Sequence, residues 1–189
     1  MNAYDFDGTL RYGDSTADFY LWCLWHHPSI LLEIPGLSVK ALQWYCGKIT
    51  KLEFKQHMYR FLRHLPDVDS DVQRFWAKAR KKMMDWYTPH EGDVIISASP
   101  EFLLEPMCKE LGVDLIASRV DPKTGVYDGL NCHGEEKVRR FRELYPNADV
   151  EEFCSDSLSD SPMAEFANKA YMIRGGKKHL WKLAGRDVK

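Results

Sequence analysis

Asp5-Phe6-Asp7-Gly8-Thr9-Leu10, which follows the apolar run Met1 to Tyr4, decides the reading of this chain. It looks like a short strand ending in two carboxylates two residues apart, then glycine. Side chains alternate faces along a strand, so Asp5 and Asp7 point one way and Phe6 points back into a core. Two acids at one strand end repel unless a cation or a shared proton lies between them. The pair predicts a metal and a division of roles between the two acids.

Composition sets the frame around that strand. The 189 residues suffice for one ordinary domain plus a small insert. An apolar share of 44% and a charged share of 29% are those of a soluble globular protein. A formal net charge of −2 offers no basic body for nucleic acid. With a strand expected almost at Met1, no signal peptide is predicted. The most apolar stretch, Pro28 to Cys46, holds two prolines, Glu33 and Lys40, and is not expected to cross a membrane. Five scattered cysteines without CxxC spacing predict reduced thiols in or near the core of a cytoplasmic protein.

Outward from the first strand, a helical block is expected from about Ser15 to Thr88. Its first helix, Thr16 to His27, is apolar nearly all round. Its middle helix opens with the capping box Thr50-x-x-Glu53, and Phe54, Met58, Phe61, Leu62 and Leu65 follow at helical spacing. A last stripe runs through Val72, Phe75, Trp76, Ala79, Met83, Trp86 and Tyr87, with Arg74, Lys78, Lys81 and Lys82 facing away. From Asp93 strands and helices alternate: strand Val94–Ile96, helix Pro100–Leu111, strand Leu115–Ala117, a hairpin over Arg119–Cys132, helix Glu135–Tyr145, strand Val150–Cys154, helix Pro162–Ala167 and strand Ala170–Ile173. That alternation predicts an α/β fold, a Rossmann-like, mainly parallel sheet with helices on both faces. Gly175-Gly176-Lys177-Lys178 reads as a turn. Ligand sites in such sheets lie outside the carboxyl ends of the strands.

Three more segments fall at those ends. Ser97-Ala98-Ser99-Pro100 places a hydroxyl after the second strand; Ser99 is the expected N-cap and Pro100 the first helical residue, so that the helix start forms an anion site. Lys137 lies in the first turn of a helix, in Gly134-Glu135-Glu136-Lys137. Ser155-Asp156-Ser157-Leu158-Ser159-Asp160 sets two acids one turn apart, able to reach one cation. Acids and serines without histidine suit a hard ion such as Mg²⁺.

Together these segments resemble the haloacid dehalogenase superfamily of phosphohydrolases, in its phosphoserine-phosphatase-like subgroup. The likeness spans the whole length and keeps family order. It implies a core of residues 1–14 and 89–189 and a helical cap of residues 15–88. By this resemblance Asp5 is the nucleophile that forms an aspartyl-phosphate, and Asp7 is its general acid and base. Mg²⁺ is held by Asp5, the Asp7 carbonyl and Asp156, with Asp160 supporting its water shell. Ser97 and Lys137 hold the phosphoryl oxygens. Thr9 orients the loop, and Ala98 and Ser99 border the phosphate. An acid at position 7 favours a phosphatase or phosphomutase over a dehalogenase or an ion pump. In phosphoserine phosphatases the lysine would fall near His133, so Lys137 stands one helical turn later.

The same resemblance turns attention to the cap for specificity. Phosphoserine phosphatases hold the amino acid with an acid after the first motif and a cap arginine. Asp14 takes the acid's place; Tyr59 takes the arginine's, with Arg60 about 100° round the helix. The expected substrate is a small phosphorylated metabolite. The alternatives are a lipid phosphate, because segments 132–137 and 155–160 also look like the phosphatidylglycerophosphatase-like branch, and a phosphate-binding module without turnover. The cap aromatics serve either as a small core or as an apolar lining. Lys78, Arg80, Lys81 and Lys82 are expected to be a solvated face that can also meet an anionic membrane surface. The expected oligomeric state is monomer or homodimer.

Overall fold

In the computed structural model, Ala3–Tyr4 (β1) lies inside a six-stranded sheet. The structure describes residues 1–183 and 186–187. The other strands are Val94–Pro100 (β2), Asp114–Ser118 (β3), Glu152–Ser155 (β4), Lys169–Arg174 (β5) and Lys177–Leu180 (β6). Their order is β3-β2-β1-β4-β5-β6, and only β6 is antiparallel to its neighbour. The expected turn at Gly175-Gly176 joins β5 to β6. Chain order reverses at β1, which has β2 on one side and β4 on the other; this opens a crevice at the carboxyl ends.

Helices cover both faces. Alternation along the strands sends Tyr4, Phe6, Ile95, Cys154 and Ile173 into one core cluster and Ala3, Val94, Ile96, Phe153 and Met172 into the other. The first cluster is closed by Ser15–His26 (α1), Val68–Ala79 (α4) and Glu101–Leu111 (α5) through Phe19, Trp76 and Leu103. The second is closed by Glu135–Leu144 (α6) and Ser161–Phe166 (α7) through Phe141 and Met163.

All of Ile34–Tyr45 (α2), Lys51–Met58 (α3), α1 and α4 lie between β1 and β2. This block does not have a core of its own. Phe6 meets Trp76 edge-on at 5.9 Å, and Phe19 lies 6.4 Å from Phe102. Among the described α-helices, α2 and α3 alone have no buried side chain.

Several expected boundaries move, each for a tertiary reason. The stripe predicted as far as Tyr87 leaves the helix after Ala79. A short 3-10 turn follows, and then Met83 and Met84 run alongside the first motif: the Tyr12 amide donates to Lys82 O at 2.8 Å and the Met84 amide to Leu10 O at 2.8 Å. The middle helix becomes 3-10 at Tyr59–His64. Strand β2 runs through Pro100, which caps α5 itself, so Ser99 is not the N-cap and Glu101 begins the helix. The predicted hairpin over Arg119–Cys132 reduces to one bridge, Val120 with Tyr127, around a turn held by Asp121. All five thiols are free and four are buried, but Cys46 is exposed. Among the described residues no helix is long and apolar enough to cross a membrane.

Candidate functional site

Asp5 continues the line of β1, its amide donating to Cys154 O at 2.9 Å. Its carboxyl is nearly buried, and Lys137 Nζ donates to Oδ1 at 2.6 Å. Lys137 is brought there by α6. Gly134 caps that helix with φ of 60°, a conformation that a β-carbon would strain, and the first turn then aims Lys137 under the strand ends. The same ammonium donates to Asp160 Oδ2 at 2.7 Å. Burial pushes Asp5 up to about 7 against the pull of Lys137. Burial works to lower Lys137, but Asp5 and Asp160 outweigh it and hold the ammonium above the usual lysine range.

Asp7 faces the same cavity and is tied to the start of α1. Ser15 N donates to its Oδ1 at 2.6 Å, and Ser15 Oγ and Ser99 Oγ donate to Oδ2 at 2.9 and 2.5 Å. Burial still raises it to about 6, chiefly against the Ser99 bond. Ser97 is buried beside it and accepts from the Ser99 amide at 3.1 Å.

Thr9 holds the two acidic segments together. Its Oγ1 accepts from the Asp156 amide at 2.9 Å, and its carbonyl accepts from Trp86 Nε1 at 3.0 Å. It is buried and orients the loop; it does not line the cavity. Asp156 lies directly over Gly8, where an added β-carbon would stand 2.0 Å from Oδ2. Glycine at φ of 74° lets that carboxylate approach the Asp7–Gly8 backbone.

The four expected metal-binding acids do not form one cage. Asp160 is occupied by Lys137 and by Ser155 Oγ at 2.7 Å, so it anchors the lysine rather than facing a cation. The Asp7 carboxylate is taken by serines. Among the described residues no cluster of three or more His, Cys, Asp or Glu is poised to hold an ion. What fits is the set implied by the resemblance, Asp5, Asp156 and the Asp7 carbonyl, without Asp160. The Gly8 cradle under Asp156 and the all-oxygen donors suit Mg²⁺, which keeps several waters and needs only one or two carboxylates.

A cavity of about 450 Å³ opens over Asp5 and Asp7; Asp156, behind Gly8, does not line it. Asp5, Asp7, Asp14, Ser97, Ala98, Ser99, Lys137 and Asp160 line it. Asp14 caps α1, accepting from Ala17 N at 2.8 Å. Arg60 does not join them: it faces Glu33 at 3.5 Å and lines a separate hollow with Lys40 and Arg63. Tyr59 is buried under the insert, its ring 5.7 Å from that of Tyr127.

Sequence reasoning missed Lys51, Lys55 and His133, which also line the cavity. Lys55 Nζ donates to Ala98 O at 3.5 Å, and burial and then Lys51 lower its pKa. His133 is lowered in the same way, by burial and then by Lys51. Of the aromatics, Trp44 and Phe54 line the cavity as a stacked pair at 5.2 Å, whereas Phe19 and Trp76 are core. The i, i+4 spacing of Lys51 and Lys55 puts them on one helix face but does not say whether that face meets water or a cavity.

A family model of haloacid dehalogenase-like hydrolases matches residues 3–165. The chain belongs to that family. It is 29% identical over 196 residues to Protein CicA of Caulobacter vibrioides, covering 93% of this chain and 86% of that one. A solved protein of unknown function from Bordetella pertussis Tohama I is similar with a TM-score of 0.71 at 18% identity, over 91% of this chain and 88% of that one. A phosphoserine phosphatase solved as a phospho-aspartyl intermediate analogue is similar with a TM-score of 0.53 at 17% identity, over 90% and 84%. At these identities the two structures show a shared fold. The sheet order and the helices on both faces are those expected of a haloacid dehalogenase-like hydrolase.

Proposed function

We propose that this chain is a magnesium-dependent phosphomonoester hydrolase that works through an aspartyl-phosphate on a small phosphorylated metabolite in the cytoplasm, with residues 15–88 as its cap. The observation that carries this reading is the buried Asp5 carboxylate gripped by Lys137 at 2.6 Å on the floor of a cavity that Asp7 and Ser97 share.

Lys137 occupies Oδ1 of Asp5, which leaves Oδ2 to attack phosphorus. As that bond forms, the bond to the ester oxygen breaks, and Asp7 gives its proton to the leaving oxygen. A water then attacks the aspartyl-phosphate and passes its proton to Asp7; phosphate leaves and the Asp5 carboxylate is restored. Ser97 and Lys137 hold phosphoryl oxygens throughout, and Asp160 keeps Lys137 charged and in place. Asp5, Asp156 and the Asp7 carbonyl would hold Mg²⁺, which when bound would supply positive charge that keeps Asp5 ionised and offsets the phosphoryl charge. The fold shared with a phosphoserine phosphatase trapped at the phospho-aspartyl stage supports the same sequence of steps.

The test is a panel of amino-acid, sugar, nucleotide and lipid phosphates with Mg²⁺, before and after chelation. D5N should lose about 10³-fold or more in kcat, and beryllofluoride should attach to Asp5 of the wild type only. Equal inactivity of wild type and D5N across the panel would instead support a binding module.

One observation favours a second reading, a lipid phosphatase at a membrane face. Leu21, Trp25 and Leu31 line an open apolar groove on the insert, and Trp25 is 85% exposed. Apolar patches with interfacial tryptophan mark contact surfaces. Turnover restricted to lysophosphatidate or phosphatidylglycerophosphate micelles would establish that reading and remove the first.

A further inference from the structure

The cavity is larger than a phosphoryl group needs, and its charges are unevenly matched. Lys137 is neutralised by Asp5 and Asp160. Asp7 and Asp14 accept hydrogen bonds from donors of α1 and from Ser99, and their charge bears on Lys55 without an ion pair being formed. Lys51 and Lys55 differ: among the described residues neither forms an ion pair. They stand one turn apart on α3, so both side chains lie on one helix face. Lys55 reaches the end of β2, its ammonium 3.5 Å from the carbonyl of Ala98, the residue next to Ser97. Beside them the Trp44 and Phe54 rings stack with planes 12° apart, giving a flat apolar wall to the same cavity. A cavity of about 450 Å³ is of the size that small ligands fill.

We infer that Lys51 and Lys55 form a second anion site beside the phosphoryl position, and that the substrate is a phosphate ester whose flat or apolar body carries a further carboxylate or phosphate group. This rests on the phosphatase reading above and names its substrate class. The body lies along Trp44 and Phe54, and its second anion meets the two ammonium groups. A neutral ester would leave those charges unmatched, and an ester without an apolar body would leave the ring wall bare. Each is a reason for discrimination.

A matched series tests this: 4-methylphenyl phosphate, 4-carboxyphenyl phosphate and 4-(phosphonomethyl)phenyl phosphate, each with Mg²⁺. The wild type should prefer at least one charged ester in kcat/KM by about tenfold to a hundredfold, the worth of a charge-assisted contact. Whichever charged ester is preferred identifies the group as carboxylate or phosphate. The preference should collapse in the K51Q/K55Q double variant and return in K51R/K55R, and in the wild type it should shrink as ionic strength rises. Turnover without preference for either charged ester, or a preference that survives in K51Q/K55Q, would overturn the second site and leave the phosphatase reading standing. No turnover of any ester would overturn both. The wild-type ratio decides even if the glutamine variant folds poorly.

Discussion

The proposed mechanism puts two demands on the one carboxyl group of Asp7: it must hold a proton in the first half-reaction and accept one in the second. Its burial, which raises it to about 6, suits both near that pH. Above about 6 more of it is ionised and expulsion of a poor leaving group slows. Below that value more of it is protonated and hydrolysis of the aspartyl-phosphate slows. An alkyl phosphate should therefore give a bell-shaped rate profile centred near 6. In kcat/KM, which reports transfer of the phosphoryl group to Asp5, D7N should lose about 10²–10⁴-fold on the alkyl ester and much less on p-nitrophenyl phosphate, whose leaving group needs no proton. An equal loss in kcat/KM on both esters would remove Asp7 as the acid of the first step. That Asp5 and Asp7 face one cavity was legible because strand alternation fixes which side chains share a face, and buried Phe6 between them obeys the same rule. Lys51 and Lys55 were not legible, because two lysines one turn apart look the same whether they face water or a cavity. Arg60 was misplaced for the related reason that the helix tightens to 3-10 at Tyr59, which changes the direction of each side chain after it.

Helix α6 carries Lys137 into the site, and its anchor is Glu136 with Arg140. Arg140 Nε donates to Glu136 at 2.8 Å, and its other nitrogens donate to Ala117 O and Leu130 O, each at 2.6 Å. Hydrogen bonds from Arg139 first, and then Arg140, hold the Glu136 carboxyl down at about 2. A carboxylate lowered on folding contributes stability above its unfolded value of 4.5, and that contribution is lost as pH falls from there through about 2. E136Q should therefore cost about 1–3 kcal/mol at pH 7, nearer the low end because Arg139 is half exposed. Urea unfolding at pH 7 and pH 3 should show the gap to wild type narrowing in acid; a constant gap would mean that packing, not charge, is what is lost. At this scale the sequence announced β1 to β5 and α5 to α7, whose apolar periods agree with their final packing; it read Lys177 and Lys178 as part of a turn, because the exposed strand β6 has no apolar period to reveal it. It did not announce the end of α4, because Lys82, Met83 and Met84 leave the helical pattern only to pair with Tyr12, Arg11 and Leu10, residues far away in sequence.

Across the whole molecule, burial is uneven in a way that predicts dynamics. Helices α2 and α3 bury no side chain, whereas β1, β2 and β4 lie inside two continuous apolar clusters. Hydrogen exchange should accordingly release amides of α2 and α3 about a hundredfold or more faster than those of the central strands. Equal protection would show that the insert opens only with the rest of the chain. The central strands carry a different consequence, one of timing. Asp5 and Lys137 are separated by 132 residues, and Thr9 and Asp156 by 147. A ribosome delivers the two opening acids well before their partners. Until α6 and β4 follow, the nascent polypeptide has a buried-to-be carboxyl with no ammonium beside it, and an exposed strand edge where β4 belongs. Shorter copies thus lack the assembled pair and carry an edge prone to stick, and the pocket is completed only when the later segments dock.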